Sequence, residues 1–328
     1  AKNVGIAMNT IPLTFNQRQI QCTVLGGTKE IPSVRLPISV ILLNIRSSGA
    51  YKVKLLENLV NNGFESIVSI DKTGENYNVE DFTRQFPYIK FIVPQEQCSI
   101  GDMINLGMSE VSSENVLVIN DSIHISNSII SLNVIEHYVT GENLCITPRL
   151  VNSFRQALPV RSIPSVENNS FKPLSCPVIG DLNHNLYPFD FIGIYNRKKF
   201  IRLGGYDYTI TTPYWQNLDF SLRAWLWGET IVLSPVFQLA YDDIIPVEDS
   251  TADQHQLRFF LKNCAPKYSV DRCYIPISRF FNYKKRANSS FSDTYKNFKE
   301  ARHWVEQNKY RFKKDISMLI NTWGESQT

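Results

Sequence analysis

The stretch Gly204–Gly228, GGYDYTITTPYWQNLDFSLRAWLWG, decides the reading of this chain. It opens on a glycine pair and Asp207, a turn that only small residues tolerate. A polar knot follows, Gln216-Asn217-Leu218-Asp219, and then Phe220, Leu222, Ala224, Trp225, Leu226 and Trp227 give a largely apolar run. The pattern predicts a buried helix that starts at the knot and stops at Gly228, a usual C-terminal stop. A polar tip on a buried helix, with its free N–H groups, can hold an anion or a hydroxyl.

Upstream, short apolar strands alternate with amphipathic helices. Strands are expected at Ile38–Leu43, Ser66–Ile70, Ile89–Val93 and Val116–Ile119, and helices at Val53–Asn61, Glu80–Gln85 and Ile100–Val111. Such alternation implies βαβ units and a mainly parallel sheet flanked by helices. Ligands bind such sheets at the carboxyl ends of their strands. Three strand ends here are polar: Asn44-Ile45-Arg46, Asp71-Lys72-Thr73 and Asn120-Asp121-Ser122. No GxGxxG or GxxxxGK[ST] sequence is present, so neither a dinucleotide fingerprint nor a P-loop is supported.

The order and spacing of these pieces resemble family 2 glycosyltransferases over about Pro37 to Asn263. In the acceptor-side signature of that family, Gly204, Gly205, Tyr206, Asp207, Asp219, Arg223 and Gly228 match, whereas Gln216 and Asn217 stand where the family has Glu and Asp. Gly101–Gly107 resembles its Gly-x-x-x-Asn-x-Gly helix, and Val116–Ser122 its strand ending in Asp-x-Asp. The resemblance implies a GT-A-type α/β fold and an inverting sugar transfer from a nucleotide-sugar donor to a cell-surface glycan or lipid-linked precursor.

The resemblance also implies site residues. Asp71, Asn105 and Asp121 match positions expected to contact the nucleotide, and the strand-end residues Asn44, Arg46 and Lys72 are expected to join them, the two cations reaching phosphate. Asp121 and Ser122 fall at the metal-binding motif, but Ser122 replaces the carboxylate that usually touches the metal. Hard cations want several oxygens, so dependence on Mg2+ or Mn2+ is expected to be weak. No histidine follows the acceptor helix in Leu239-Ala240-Tyr241-Asp242-Asp243, although Asp242 or Asp243 can substitute. Asn217 aligns with the family's catalytic base and cannot accept a proton near neutral pH. Three readings stay open: Asp219 braces the helix near Arg223; Asp219 or Asp207 is the base of a rearranged site; or catalysis is lost and the chain is a binding or scaffold subunit. The loop Asp181–Asp190, ahead of a strand expected at Phe191–Tyr195, is expected to border the acceptor pocket. His124 is a candidate to face the site by alternation with Ser122.

Composition sets outer bounds. The 328 residues carry a formal net charge of +3, which gives no sign of a nucleic-acid partner. Six scattered cysteines form no Cys-x-x-Cys and predict a reduced, cytoplasmic setting. The start does not read as a signal peptide, and no apolar run approaches the ~20 residues that span a bilayer. Three regions are expected: an arm over 1–36, a nucleotide-sugar domain over 37–265 and a basic helical extension over 266–328. Between Lys284 and Lys314, ten Lys/Arg face three acidic residues. Phe291, Tyr295, Phe298, Trp304, Val305, Phe312, Ile316 and Leu319 recur there at roughly helical spacing. Either these helices pack on the domain, or a basic-aromatic surface touches anionic lipid at the inner face of the membrane.

Overall fold

The computed structural model describes residues 10–46, 53–72, 79–125, 142–167, 170–178, 180, 183–242, 245–287 and 289–323. Thr73, Asp181 and Asp243, named above, lie outside the described residues, as do the first nine residues of the expected arm.

The strands of the main sheet are β1 (Cys22–Gly26), β2 (Leu36–Asn44), β3 (Phe64–Asp71), β4 (Ile89–Pro94), β5 (Asn115–Asn120), β6 (Ile123–His124), β7 (Cys145–Val151), β8 (Asn183–His184), β9 (Gly193–Asn196) and β10 (Ile231–Tyr241). Their order is β1-β4-β3-β2-β5-β9-β7-β10-β8, with β6 paired to β10. Strands β2 to β5 run parallel, and β9 enters antiparallel between β5 and β7. The helices are α1 (Val53–Asn62), α2 (Val79–Gln85), α3 (Ile100–Glu110), α4 (Arg197–Arg202), α5 (Pro213–Leu226), α6 (Gln254–Phe259), α7 (Arg279–Arg286), α8 (Phe291–Asn308) and α9 (Ile316–Thr322).

Strand β2 shows why the sheet is a middle layer. Ile38, Val40 and Leu42 join one apolar cluster with Leu55, Leu56 and Leu59 of α1. Ile41 and Leu43 join the other, with Met103 and Ile104 of α3 and Leu218 and Leu222 of α5. Period-two alternation thus sends successive side chains into two helical layers, and both faces are apolar. From β2 the chain passes to β3 and β4 on one side and returns to β5 on the other. The C-terminal ends of β2 and β5 therefore lie at a topological switch point, where such sheets leave a crevice.

The arm contributes β1, which pairs antiparallel with β4 at the sheet edge. Its Arg18 reaches Glu96 at 2.9 Å and Asp102 at 3.2 Å. At the other end of the chain, the Trp323 and Trp225 rings lie 4.5 Å apart, and the Trp304 and Trp227 rings 6.0 Å apart. Phe298, Trp304, Val305, Phe312 and Leu319 are buried, so these aromatics are core rather than a lipid-facing surface. Phe291 and Tyr295 are exposed.

Two local expectations are corrected. Helix α5 begins at Pro213, three residues before the polar knot. Proline fits the first helical position because its missing N–H is not needed there and its φ is already helical. The knot is thus buried inside the helix rather than presented at its tip. The strand expected at Phe191–Tyr195 begins at Gly193. Asp190 and Phe191 instead adopt φ of +51° and +63°, consecutive non-glycine residues in the left-handed region.

Candidate functional site

A cavity of about 400 Å3 opens at the switch point. Arg46 and Lys72 line it from the ends of β2 and β3, Ser99 and Ile100 from the start of α3, and Tyr214 and Asn217 from α5. Three carboxylates, Asp190, Glu248 and Asp249, also stand in its wall, Asp190 paired with Arg46. Two cations and two helix N-termini around one crevice suit an anionic ligand.

The loop after β5 is built by its own side chains. The Asp121 carboxylate accepts from the backbone N–H groups of Ile45 at 3.2 Å and Arg46 at 3.0 Å, tying the end of β5 to the end of β2. The Asn120 side chain accepts from the Ser122 N–H at 3.0 Å and donates to Asp190 at 2.7 Å. Asp190 also accepts from the Tyr241 hydroxyl at 3.0 Å and pairs with Arg46 at 3.1 Å. Burial pushes the Asp190 carboxyl up, while the Arg46 guanidinium acts against that rise. The left-handed backbone at Asp190 aims its carboxylate into this knot. Such strain persists only where surroundings over-determine it.

The divalent metal implied by the resemblance meets a poor donor set here. Asp121 is engaged with backbone N–H groups, Ser122 offers no carboxylate, and Asp190 already carries Arg46 and two neutral donors. Asp242 pairs with His124 at 3.2 Å at the exposed end of β6. Among the described residues no group of three or more His, Cys, Asp or Glu gathers for a metal. These residues do not fit a resident hard cation, which needs several oxygen ligands.

The remaining expected site residues divide. Asn44 and Asp71 meet each other. The Asn44 amide donates to Asp71 at 2.7 Å and to Ser69 at 2.8 Å, and Asp71 has no exposed surface. Asn105 lies elsewhere. Its amide donates to the Tyr206 carbonyl at 2.8 Å and accepts from the Tyr206 N–H at 2.9 Å. It lines a separate cavity of about 330 Å3 beneath the arm, not the strand-end crevice. Its partner loop needs glycine, since a Cβ on Gly205 (φ +67°) would fall 2.4 Å from Asn105 Oδ1.

Asp207 and Asp219 do not line the cavity either. Lys262 donates to Asp207 at 2.6 Å and to Asp219 at 2.8 Å, and none of the three side chains is exposed. Arg223 adds a bond to Asp219 at 2.9 Å and another to the Gly205 carbonyl; Asn263 adds one to Asp219 at 2.8 Å. Burial alone would raise the Asp207 carboxyl; Lys262 and Thr209 hold it below its usual value. A carboxylate saturated this way braces the helix and is remote from a bound hydroxyl.

Gln216 is a brace as well. It accepts from the Gly101 N–H at 2.9 Å and donates to Ser99 Oγ at 2.8 Å and to the Asp207 carbonyl at 3.1 Å. A glutamate could not make those two donations. Asn217 does reach the cavity. Its amide donates to the Pro188 carbonyl at 2.6 Å, which fixes the amide orientation, and its Oδ1 is buried without a hydrogen-bond partner.

Sequence reasoning missed three residues. Asp190 ends a loop expected to border the pocket, and nothing in the sequence pairs it with Arg46, 144 residues away. Lys262 is separated from Asp219 by 43 residues and gave no local signal. Glu248 sits in a polar segment that reads as ordinary loop. Its carboxylate accepts from the Tyr187 hydroxyl at 2.6 Å. Burial pushes its carboxyl up to about 7; the Tyr187 bond opposes this, and Asp190 adds to it.

Among solved structures, the chain is similar to GalNAc-T7 with UDP, GalNAc and Mn2+, with a TM-score of 0.57 and 11% identity over 89% of this chain. It spans 57% of that chain's length. It is also similar to residues 1–349 of S. aureus TarS in complex with UDP, with a TM-score of 0.46 and 12% identity, covering 88% of this chain and 92% of that one. The sequence matches no protein-family profile and no curated protein. With the sheet described above, the first likeness defines a GT-A-type fold.

Proposed function

We propose that the protein is a glycosyltransferase. It takes a nucleotide-diphosphate sugar in the strand-end crevice and transfers the sugar, with inversion, to a hydroxyl of a cell-surface glycan or its lipid-linked precursor. One observation carries the reading: Arg46 and Lys72 line the switch-point cavity beside the N-termini of α3 and α5. Cations held there stabilise the charge that develops on a diphosphate leaving group, the task a metal performs elsewhere. The fold supports the donor class, since the GalNAc-T7 structure contains UDP. Asn44 and Asp71, bonded to each other at the ends of β2 and β3 and absent from the cavity lining, would act on the nucleoside by fixing those strand ends. The orphan Oδ1 of Asn217 accepts from a bound sugar hydroxyl.

The proposed setting is the cytoplasmic face of a membrane. Among the described residues no helix is long and apolar enough to cross one. Ile277, Phe281, Phe291 and Tyr295 are exposed near Arg279, Lys284 and Lys285 of α7, a combination that suits anionic lipid.

A second reading is favoured by Asn217 and by the saturated Asp207 and Asp219: a nucleotide-binding subunit without turnover. A thermal-shift panel of UDP, GDP, CMP and dTDP conjugates, with and without Mn2+, tests donor binding. A ligand of the folded state raises the midpoint by mass action. Release of nucleotide from the stabilising conjugate then separates enzyme from scaffold. A panel with no shift at all sinks both readings.

A further inference from the structure

We infer that Glu248, on the segment that follows β10, accepts the proton of the acceptor hydroxyl. The inference rests on the transferase reading and supplies the base that Asn217 cannot be.

Most carboxylates near the crevice are already engaged. Asp207 and Asp219 are sealed behind Lys262. Asp121 is held by two backbone N–H groups. Asp190 is engaged by Arg46, Asn120 and Tyr241. Asp249 lines the cavity but is exposed, and the Thr251 hydroxyl and N–H lower its pKa, which makes it a weak base. Glu248 lines the same cavity, is mostly buried, and has one oxygen bonded to Tyr187. Its other oxygen has no hydrogen-bond partner among the described residues.

The position is also held in place. The Tyr187 and Tyr214 rings pack edge to face, 6.2 Å apart at 88°. Tyr214 lies one helical turn before Asn217 on α5, so both lie on one face of the helix. Glu248 therefore stands over the end of α5 on which Asn217 lies, with Arg46 and Lys72 lining the same cavity. The groups that face it are Tyr187, Tyr214, Tyr241 and Asp190, with Asp249 beside it in sequence. A base that titrates near neutrality suits proton transfer at neutral pH.

The step balances without a further reactant. The acceptor oxygen forms a bond to the anomeric carbon as the bond from that carbon to the diphosphate oxygen breaks. The bonding pair leaves with the diphosphate, and the acceptor proton passes to the Glu248 carboxylate and then to solvent.

The test compares wild type with Glu248→Gln, using the donor conjugate that stabilises the wild-type protein. UDP affinity is measured by calorimetry and nucleotide release across pH. The expected result is a fall in turnover of about 10²–10⁴-fold with UDP affinity within threefold. The rise in wild-type rate through pH about 7 should vanish. Glu248→Asp should recover part of the rate. Tyr187→Phe should move the rising limb to higher pH, because it removes a hydrogen bond to the ionised form, a change that mere loss of packing would not produce. Active wild type with Glu248→Gln within threefold overturns Glu248 as the base and leaves the transferase reading standing. Wild type that binds UDP but releases nothing from any donor overturns the transferase reading, and this inference with it.

Discussion

Lys262 donates to Asp219 across 2.8 Å in a place where neither side chain has any exposed surface. The same ammonium holds Asp207 at 2.6 Å, so one lysine bridges two carboxylates, and Arg223 on Asp219 supplies the second positive charge. The Trp304 ring closes the site, with its centroid 5.0 Å from Lys262 Nζ. The segment that resembled an acceptor signature is thereby locked to the C-terminal helices. This explains why Asp207 and Asp219 stand in a catalytic pattern without reaching the crevice.

Lys262→Met should be severely destabilising. The variant leaves two buried carboxylates with one fewer cation, and breaking a buried pair in this way typically costs about 3–5 kcal/mol. Denaturant unfolding should show the midpoint falling while UDP affinity of the remaining folded protein stays near wild type. A loss under about 1 kcal/mol would mean that water enters this network and screens it.

Acid should act through the same place. The Asp207 pKa is lowered in the folded state: burial, the largest single influence, raises it, but Lys262, Thr209 and Arg258 together outweigh burial. A depressed carboxylate contributes stability above its unfolded pKa of about 3.9, and that contribution is lost as pH falls through the folded value. Wild-type stability should therefore drop below about pH 4, more steeply than in Asp207→Asn. Parallel pH profiles for the two proteins would exclude Asp207 as the titrating group.

Arg46→Ala tests the anion site. A hydrogen bond to a charged group contributes roughly 1.5–3 kcal/mol, so UDP affinity should fall about 10- to 100-fold in a chelating buffer. Removing the guanidinium also leaves Asp190 with only Asn120 and Tyr241. Its carboxylate then becomes available to a cation, and Mn2+ should restore part of the lost UDP affinity in the variant while changing wild type little. Equal Mn2+ enhancement in both proteins would show that the wild-type crevice already accepts a metal beside Arg46.

The sheet and its polar strand ends are legible because their signals are local, whereas the switch point needs the strand order. Ile38–Leu43 is apolar at every second position on both faces except Ser39, and Asn44-Ile45-Arg46 punctuates its end. The start of α5 differs from the sequence expectation because the polar knot resembles a cap. Pro213 carried the better signal, and it lay three residues earlier. The site was half legible. Arg46, Lys72 and Asn217 could be reached from strand ends and spacing, but the roles of Asp190 and Glu248 depend on partners far along the chain. Tyr187 meets Glu248 across 61 residues, and Arg46 meets Asp190 across 144. Periodicity and capping rules act within one or two turns and carry no information about such pairs.

The sharpest of these tests concerns Asn217. From sequence alone, Asn217→Asp restores the carboxylate of the related signature at nearly unchanged volume, and the rate should rise. The structure argues otherwise. The Asn217 amide donates to the Pro188 carbonyl at 2.6 Å, and both groups are buried. An ionised carboxylate there would set two acceptors against each other, so it must either protonate or break the contact. Its pKa in the folded state is thus raised, and the variant should approach wild-type stability in acid and lose it as pH rises through that value. At neutral pH the cost should be about 1–3 kcal/mol, the penalty for a buried polar group left unsatisfied. Turnover should not rise, because the new carboxyl is neutral wherever the local fold survives. Urea midpoints at pH 4 and pH 8, with nucleotide release at each, check both halves. A variant as stable as wild type at pH 8 and faster by tenfold or more would show that the Pro188 loop yields, and would return the role of base from Glu248 to position 217.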